Sequence, residues 1–138
     1  MTAGSAHLSY PRSDMMRSIR KYDTKPELKV RRMLHALGFR FRLYRRDLPG
    51  TPDIVLPSRR AVIFVHGCFW HQHTGCKYAK LPNARPEYWH RKLELNVARG
   101  KAAVAALKKS DWRVLVLWEC QIADDLAVLN RVTRFLAR

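Results

Sequence analysis

Cys68, His71, His73 and Cys76 fall within nine residues of one another, and Cys120 follows far along the chain. Thiolates and imidazoles are the usual ligands of zinc, which takes four of them in a tetrahedron. A tight knuckle of Cys68, His73 and Cys76, closed by Cys120, uses all three cysteines. It would pin a loose loop to the body of the fold and contribute to folding. Four protein ligands leave no open position, so such a metal is structural rather than catalytic. Spacing alone does not choose between His71 and His73, and the alternative is a buried core Cys120 with exposed loop histidines.

A second chemistry is suggested by carboxylates near these histidines. Asp53 follows Gly50-Thr51-Pro52 at the start of an apolar run. A carboxylate at a strand edge can hold Mg²⁺, and an imidazole nearby is a natural base at neutral pH. A lone Pro-Asp is also an ordinary turn signal. Glu27 has two readings of equal weight: capping partner of Thr24, or a carboxylate turned toward a metal-bound water. Phe69 and Trp70 are adjacent in the cysteine loop, where two neighbours rarely both reach a core. Exposed, they suit stacking on bases or insertion between base steps. Trp89 lies among Arg85, His90, Arg91 and Lys92 and either joins them or packs under the loop.

These residues need elements to position them. Residues 1–11 read as a disordered tail, leaving 12–138 as a single domain. Ser13–Lys21 has the pattern of a short basic helix. Thr24, Pro26 and Glu27 form a helix start, Leu28, Val30, Leu34 and Leu37 its apolar stripe, and Gly38 its end. Phe39–Tyr44 alternates as a half-exposed strand, and Leu48–Asp53 is a turn. Asp53–Leu56 and Ala61–Val65 are apolar enough to be central strands, joined at Ser58-Arg59-Arg60. His66–Asn83 is loop. Pro86 opens a helix to about Lys109, with Trp89, Leu93, Val97, Val104 and Leu107 on one face. Trp112–Trp118 is a strand, and Asp124 or Asp125 starts a last helix with Leu126, Leu129 and Phe135 in its apolar set. The order predicts a small α/β sandwich, a sheet with helices on both faces.

Composition sets the partner class. Lys and Arg total 27 against 11 Asp and Glu, a net charge of +16. That excess predicts a polyanion, held through phosphates and sensitive to salt. A structural RNA-binding protein would share it. Residues 1–11 lack the apolar segment of a signal peptide, no run approaches a membrane span, and an odd cysteine count argues against a disulfide framework. The expected location is cytoplasmic, with nucleoid association.

Four blocks then carry a resemblance: Asp23-Thr-Lys-Pro-Glu27, Leu48-Pro-Gly-Thr-Pro-Asp53, Val62-Ile-Phe-Val-His-Gly-Cys-Phe-Trp-His71 and Val116-Leu-Trp-Glu-Cys120. In order and spacing they resemble the very short patch repair (Vsr) endonucleases across most of the chain. The resemblance implies a restriction-endonuclease-like mixed sheet flanked by helices, with a structural zinc loop. It implies Mg²⁺-dependent nicking of one DNA strand, 5′ to a thymine mispaired with guanine, as arises from deamination of 5-methylcytosine. By position, Asp53 and the Val65 backbone carbonyl match the Mg²⁺ ligands, His71 the general base and Glu27 an acidic helper. Cys68, His73, Cys76 and Cys120 match the zinc ligands, and Phe69, Trp70 and Trp89 the aromatics that enter the stack. A monomer on T·G-mismatched duplex, with general mismatch-repair proteins as further partners, is the expected assembly. The alternatives are a related nuclease of matched duplex and a non-catalytic zinc DNA- or RNA-binding module. Two departures stand out. Gly100 replaces an aspartate common after Arg99 in the family, and the Cys68–Cys76 loop differs in length from some relatives, with Gly75 giving slack.

Overall fold

A computed structural model describes residues 23–137. The expected tail and the Ser13–Lys21 helix lie outside the described residues.

Thr24 opens helix α1 (Lys25–Ala36), its side chain accepting the Glu27 N–H at 3.3 Å, with Pro26 in the first turn. Gly38, at φ +85, releases the chain. Strand β1 (Arg42–Leu43) is shorter than the alternation of Phe39–Tyr44 predicts. Only two residues pair with β2 (Ile54–Leu56), and Tyr44 leaves the ladder at φ +50. A 3₁₀ turn at Pro57–Arg59, with Arg60 left-handed, joins β2 to β3 (Ala61–His66). A loop leads to α2 (Pro86–Lys109) and then β4 (Arg113–Trp118). Cys120 sits on a short helical turn, α3 (Glu119–Ile122), that the sequence pattern did not indicate. Asp124 caps α4 (Asp125–Leu136) by accepting the Ala127 N–H.

The sheet order is β1-β2-β3-β4, antiparallel except for the parallel pair β3–β4. Strand alternation divides the core. Ile54, Leu56, Ala61, Ile63, Val65 and Leu117 face α1 and α4 through Val30, Leu34, Val128, Val132 and Leu136. Val55, Val62 and Phe64 face α2 through Leu107, beside Trp112. Helices thus cover both faces of a mixed sheet, as expected. The buried stripe of α4 differs from the expected one: Leu126 is 67% exposed, and Val128, Val132 and Leu136 are buried. At 100° per residue Leu126 lies 200° around the helix from Val128, on the solvent side. No helix among the described residues is long and apolar enough to cross a membrane.

Candidate active site and metal centre

The residues that deliver Asp53 come first. Pro49-Gly50 turns the chain, with Thr51 N–H donating to the Leu48 carbonyl at 3.1 Å. Gly50 has φ +74, and a Cβ there would fall 2.5 Å from that of Ala103 on α2. The turn therefore packs directly on α2 because residue 50 has no side chain. Asp53 emerges beside the end of β3, where its Oδ2 accepts the Val65 N–H at 2.7 Å. Burial first, and then the charge of Glu27, push the Asp53 carboxyl up to about 8. Metal-free Asp53 thus holds a proton near neutrality that a divalent cation would displace.

The Glu27 carboxylate has its partners among Asp23, Arg31 and Tyr44. Thr24 caps the helix, but the Glu27 carboxylate bypasses Thr24 N–H and accepts from the Asp23 N–H at 3.1 Å. It also accepts from the Tyr44 hydroxyl and from Arg31 Nη2 at 3.4 Å. Glu27 is 1% exposed, a buried acid on the wall of the same cleft as Asp53. Burial raises its pKa, against the opposing pull of Tyr44, the Asp23 amide and Arg31.

His66 and His71 meet on the opposite wall, rings parallel (6°) with centroids 3.7 Å apart. His66 is a functional candidate the sequence reading passed over, although it stands inside the third block. Burial, then its neighbour His71, push it down to about 3, so it is neutral. Its buried Nδ1 has no partner among the described residues. A Cβ on Gly100 would lie 3.7 Å from His71 Nδ1, in ordinary contact. Asp53, Glu27, Val65, His66, His71 and Gly100 all line one cleft of about 1280 Å³, with Lys25, Arg91, Lys92 and Arg99 at its margin. That volume exceeds the ~300–1,000 Å³ of small-molecule pockets. The basic margin suits a phosphate backbone.

The four candidate zinc ligands come together. One donor atom from each of Cys68, His73, Cys76 and Cys120 lies within 4.8 Å of the others. His73 Nδ1 is 3.7 Å from Cys68 Sγ and 3.4 Å from Cys120 Sγ. Tetrahedral bonds of about 2.0–2.3 Å place ligand atoms roughly 3.5 Å apart, so the donor set fits zinc. The ring of His73 stacks on Trp118 at 4.1 Å. His71 stays outside the cluster and lines the cleft. Glu119 Oε1 accepts the Cys68 N–H at 3.2 Å and ties the loop to the end of β4.

A mixed sheet, a cleft lined by two carboxylates and an imidazole, and a four-donor metal cluster are what the four sequence blocks imply. A family model described as DNA mismatch endonuclease Vsr matches residues 6–77. The chain belongs to the Vsr family. It is 52% identical over 122 residues to the type II nicking enzyme V.XorIIP of Xanthomonas oryzae pv. oryzae, covering 88% of this chain and 89% of that one. It is 41% identical over 116 residues to the DNA mismatch endonuclease Vsr of Escherichia coli K12, covering 84% and 74%. With V.NmeAIP of Neisseria meningitidis, another type II nicking enzyme, it shares 35% over 125 residues, covering 91% and 89%. Like the family, this chain is a DNA-cutting hydrolase with a restriction-endonuclease-like sheet.

Contrary to the sequence expectation, the Phe69-Trp70 pair does not stand exposed on its loop. Phe69 is 8% and Trp89 3% exposed, and both pack with Leu93, Trp70 and Leu81 beneath the loop. Two neighbours on a loop both reach apolar cover because α2 runs directly beside them. Trp70 is half-buried, and its Nε1 has no partner among the described residues.

Proposed function

We propose that this enzyme nicks one strand of duplex DNA 5′ to the thymine of a T·G mispair, using Mg²⁺, with zinc as the structural metal. The observation that carries the reading is one basic-rimmed cleft lined by buried Glu27, half-buried Asp53 and a paired imidazole. Asp53 and the Val65 carbonyl are the assigned Mg²⁺ ligands; the Val65 N–H donates to Asp53 Oδ2, so residue 65 lies beside that carboxylate. A Mg²⁺ ion there supplies charge neutralisation at the scissile phosphate.

The side chains of this protein do the rest. Lys25, Arg91, Lys92 and Arg99 hold the backbone phosphates. His71 takes the proton of the attacking water, and Glu27 orients that water. The aromatic cluster of Phe69, Trp70 and Trp89 opens against the stack beside the mispair, where a weakened base pair lowers the unstacking cost. The Trp70 indole N–H gains an acceptor on leaving its cluster. The enzyme acts on DNA as a cytoplasmic, nucleoid-associated monomer, with general mismatch-repair proteins as further partners.

The names of several relatives, nicking enzymes, favour strand-specific cutting, and the name of the Escherichia coli relative favours the mispair. The test is nicking of T·G and matched duplexes in magnesium buffer by wild type and Asp53→Ala. The T·G duplex is expected to be cut, the matched one spared, and Asp53→Ala slower by about 100-fold or more. Equal nicking by the variant overturns the site, and equal cutting of both duplexes overturns the mispair specificity.

A further inference from the structure

Tyr44 links the Glu27 carboxylate to the backbone of Asp53. Its hydroxyl donates to Glu27 Oε1 and accepts from the Asp23 N–H at 2.8 Å and from Arg31 Nη2 at 2.5 Å. A phenol offers one proton, and two carboxylate oxygens face it: Asp23 Oδ1 at 3.1 Å and, closer, Glu27 Oε1. The other end of the residue reaches Asp53: the Tyr44 backbone N–H donates to the Asp53 carbonyl at 3.4 Å. Tyr44 makes both contacts at φ +50. For a bulky non-glycine residue that conformation is strained and persists where surrounding contacts over-determine it. Arg31 braces the arrangement, its Nη2 also meeting Asp23 Oδ1 at 2.7 Å and its guanidinium lying 5.5 Å from the Tyr44 ring centroid.

We infer that Tyr44, braced by Arg31, is a positioning residue that aims the Glu27 carboxylate at the Asp53 site. The geometry of Glu27 supports this division of labour. Oε1 takes the Tyr44, Asp23 and Arg31 donors, whereas Oε2 has, among the described residues, a long 3.4 Å contact from Thr24 Oγ1. The clamp thus fixes one oxygen and leaves the other for the cleft. A purely architectural tyrosine linking β1 to α1 would not need its one proton on a buried acid of the site.

This inference rests on the assignment of Asp53 and Glu27 to the metal, and the experiment separates the two. Full-length wild type, Tyr44→Phe, Glu27→Gln, Asp53→Asn and the Tyr44→Phe/Glu27→Gln double variant are compared in two assays. One is Mn²⁺ binding, followed by electron paramagnetic resonance. The other is kcat and KM on a T·G duplex. Tyr44→Phe is expected to lower Mn²⁺ affinity several-fold and kcat about 10–100-fold with KM unchanged, as removal of an outer-sphere partner does. The double variant should lose no more than Glu27→Gln alone, because both changes break one unit. Wild-type kcat and Mn²⁺ affinity in Tyr44→Phe, or additive losses in the double variant, overturn the clamp. Undiminished Mn²⁺ binding by Asp53→Asn overturns the site assignment beneath it. If Tyr44→Phe fails to fold, Arg31→Lys, which keeps the charge and gives up the planar fork, is read by the same criteria.

Discussion

Replacing Gly50 with alanine tests whether the Pro49-Gly50 turn delivers Asp53 by direct contact with α2. Two costs add. Residue 50 sits at φ +74, where an L side chain is strained by about 1 kcal/mol or more. The new Cβ would stand 2.5 Å from the Ala103 Cβ and 3.3 Å from the Phe64 ring. The Ala103 methyl is fixed to the helix backbone and cannot rotate aside, so α2 or the turn must move. Overpacking of this kind costs about 1–3 kcal/mol. The sum, about 2–4 kcal/mol, corresponds to a fall in Tm of roughly 10 °C for a chain of this size. Urea unfolding followed by tryptophan fluorescence measures it. Ala103→Gly supplies the internal control. By itself it costs about 1 kcal/mol as a glycine inside a helix, but it removes the atom that the new methyl group at position 50 would strike. The double variant should therefore be less destabilised than the sum of the singles by about 1–3 kcal/mol. A Gly50→Ala protein within about 0.5 kcal/mol of wild type, or strict additivity with Ala103→Gly, refutes the close-contact argument.

Two further outcomes follow from the same coordinates. Removing metal with a chelator, or replacing Cys120 with alanine, should abolish zinc retention and lower stability by several kcal/mol. The loss should stay below the about 10–16 kcal/mol of isolated zinc fingers, because the sheet core persists; an unchanged unfolding midpoint in zinc-stripped protein counts against a structural metal. Gly100→Asp should place a carboxylate within reach of His71 Nδ1, fix the imidazole and raise the single-turnover nicking rate several-fold; an unchanged or slower rate shows that His71 is already oriented by other groups.

The sequence predicts most of the elements because their signals are strong and local. Thr24 with Pro26, Gly38, Pro86 and Asp124 mark helix ends that the structure keeps. The failures have one character: each needed information from the other side of a contact. The β1 alternation over-extends because pairing length is limited by β2, a three-residue strand. The stripe of α4 is misphased because Leu126 and Val128 are both apolar, and only the sheet beneath decides which is buried. The wedge aromatics are hidden because α2, remote from them in sequence, passes under the loop. His66 reads as the end of an apolar strand until the ring of His71 is seen against it. Tyr44 reads as an ordinary strand aromatic until its hydroxyl is found on Glu27.

Contacts distant in sequence also account for the amount of chemistry carried by one short loop. Between Cys68 and His73 lie Phe69, Trp70, His71 and Gln72; the first two pack against α2, and the first three line the cleft. A free loop of this length would need to order every one of those residues at an entropic cost of about 1–2 kcal/mol apiece. Anchoring both ends in the four-donor cluster, with Glu119 holding the Cys68 amide and His71 N–H bonded to the Gly67 carbonyl at 3.1 Å, removes that burden from the substrate. On the proposed reading, binding energy from DNA would then go to opening the aromatic cluster rather than to ordering the backbone. A structural metal bound there would accordingly be a device for precision: it would let the loop hold the His71 imidazole with the rigidity of the adjoining strands.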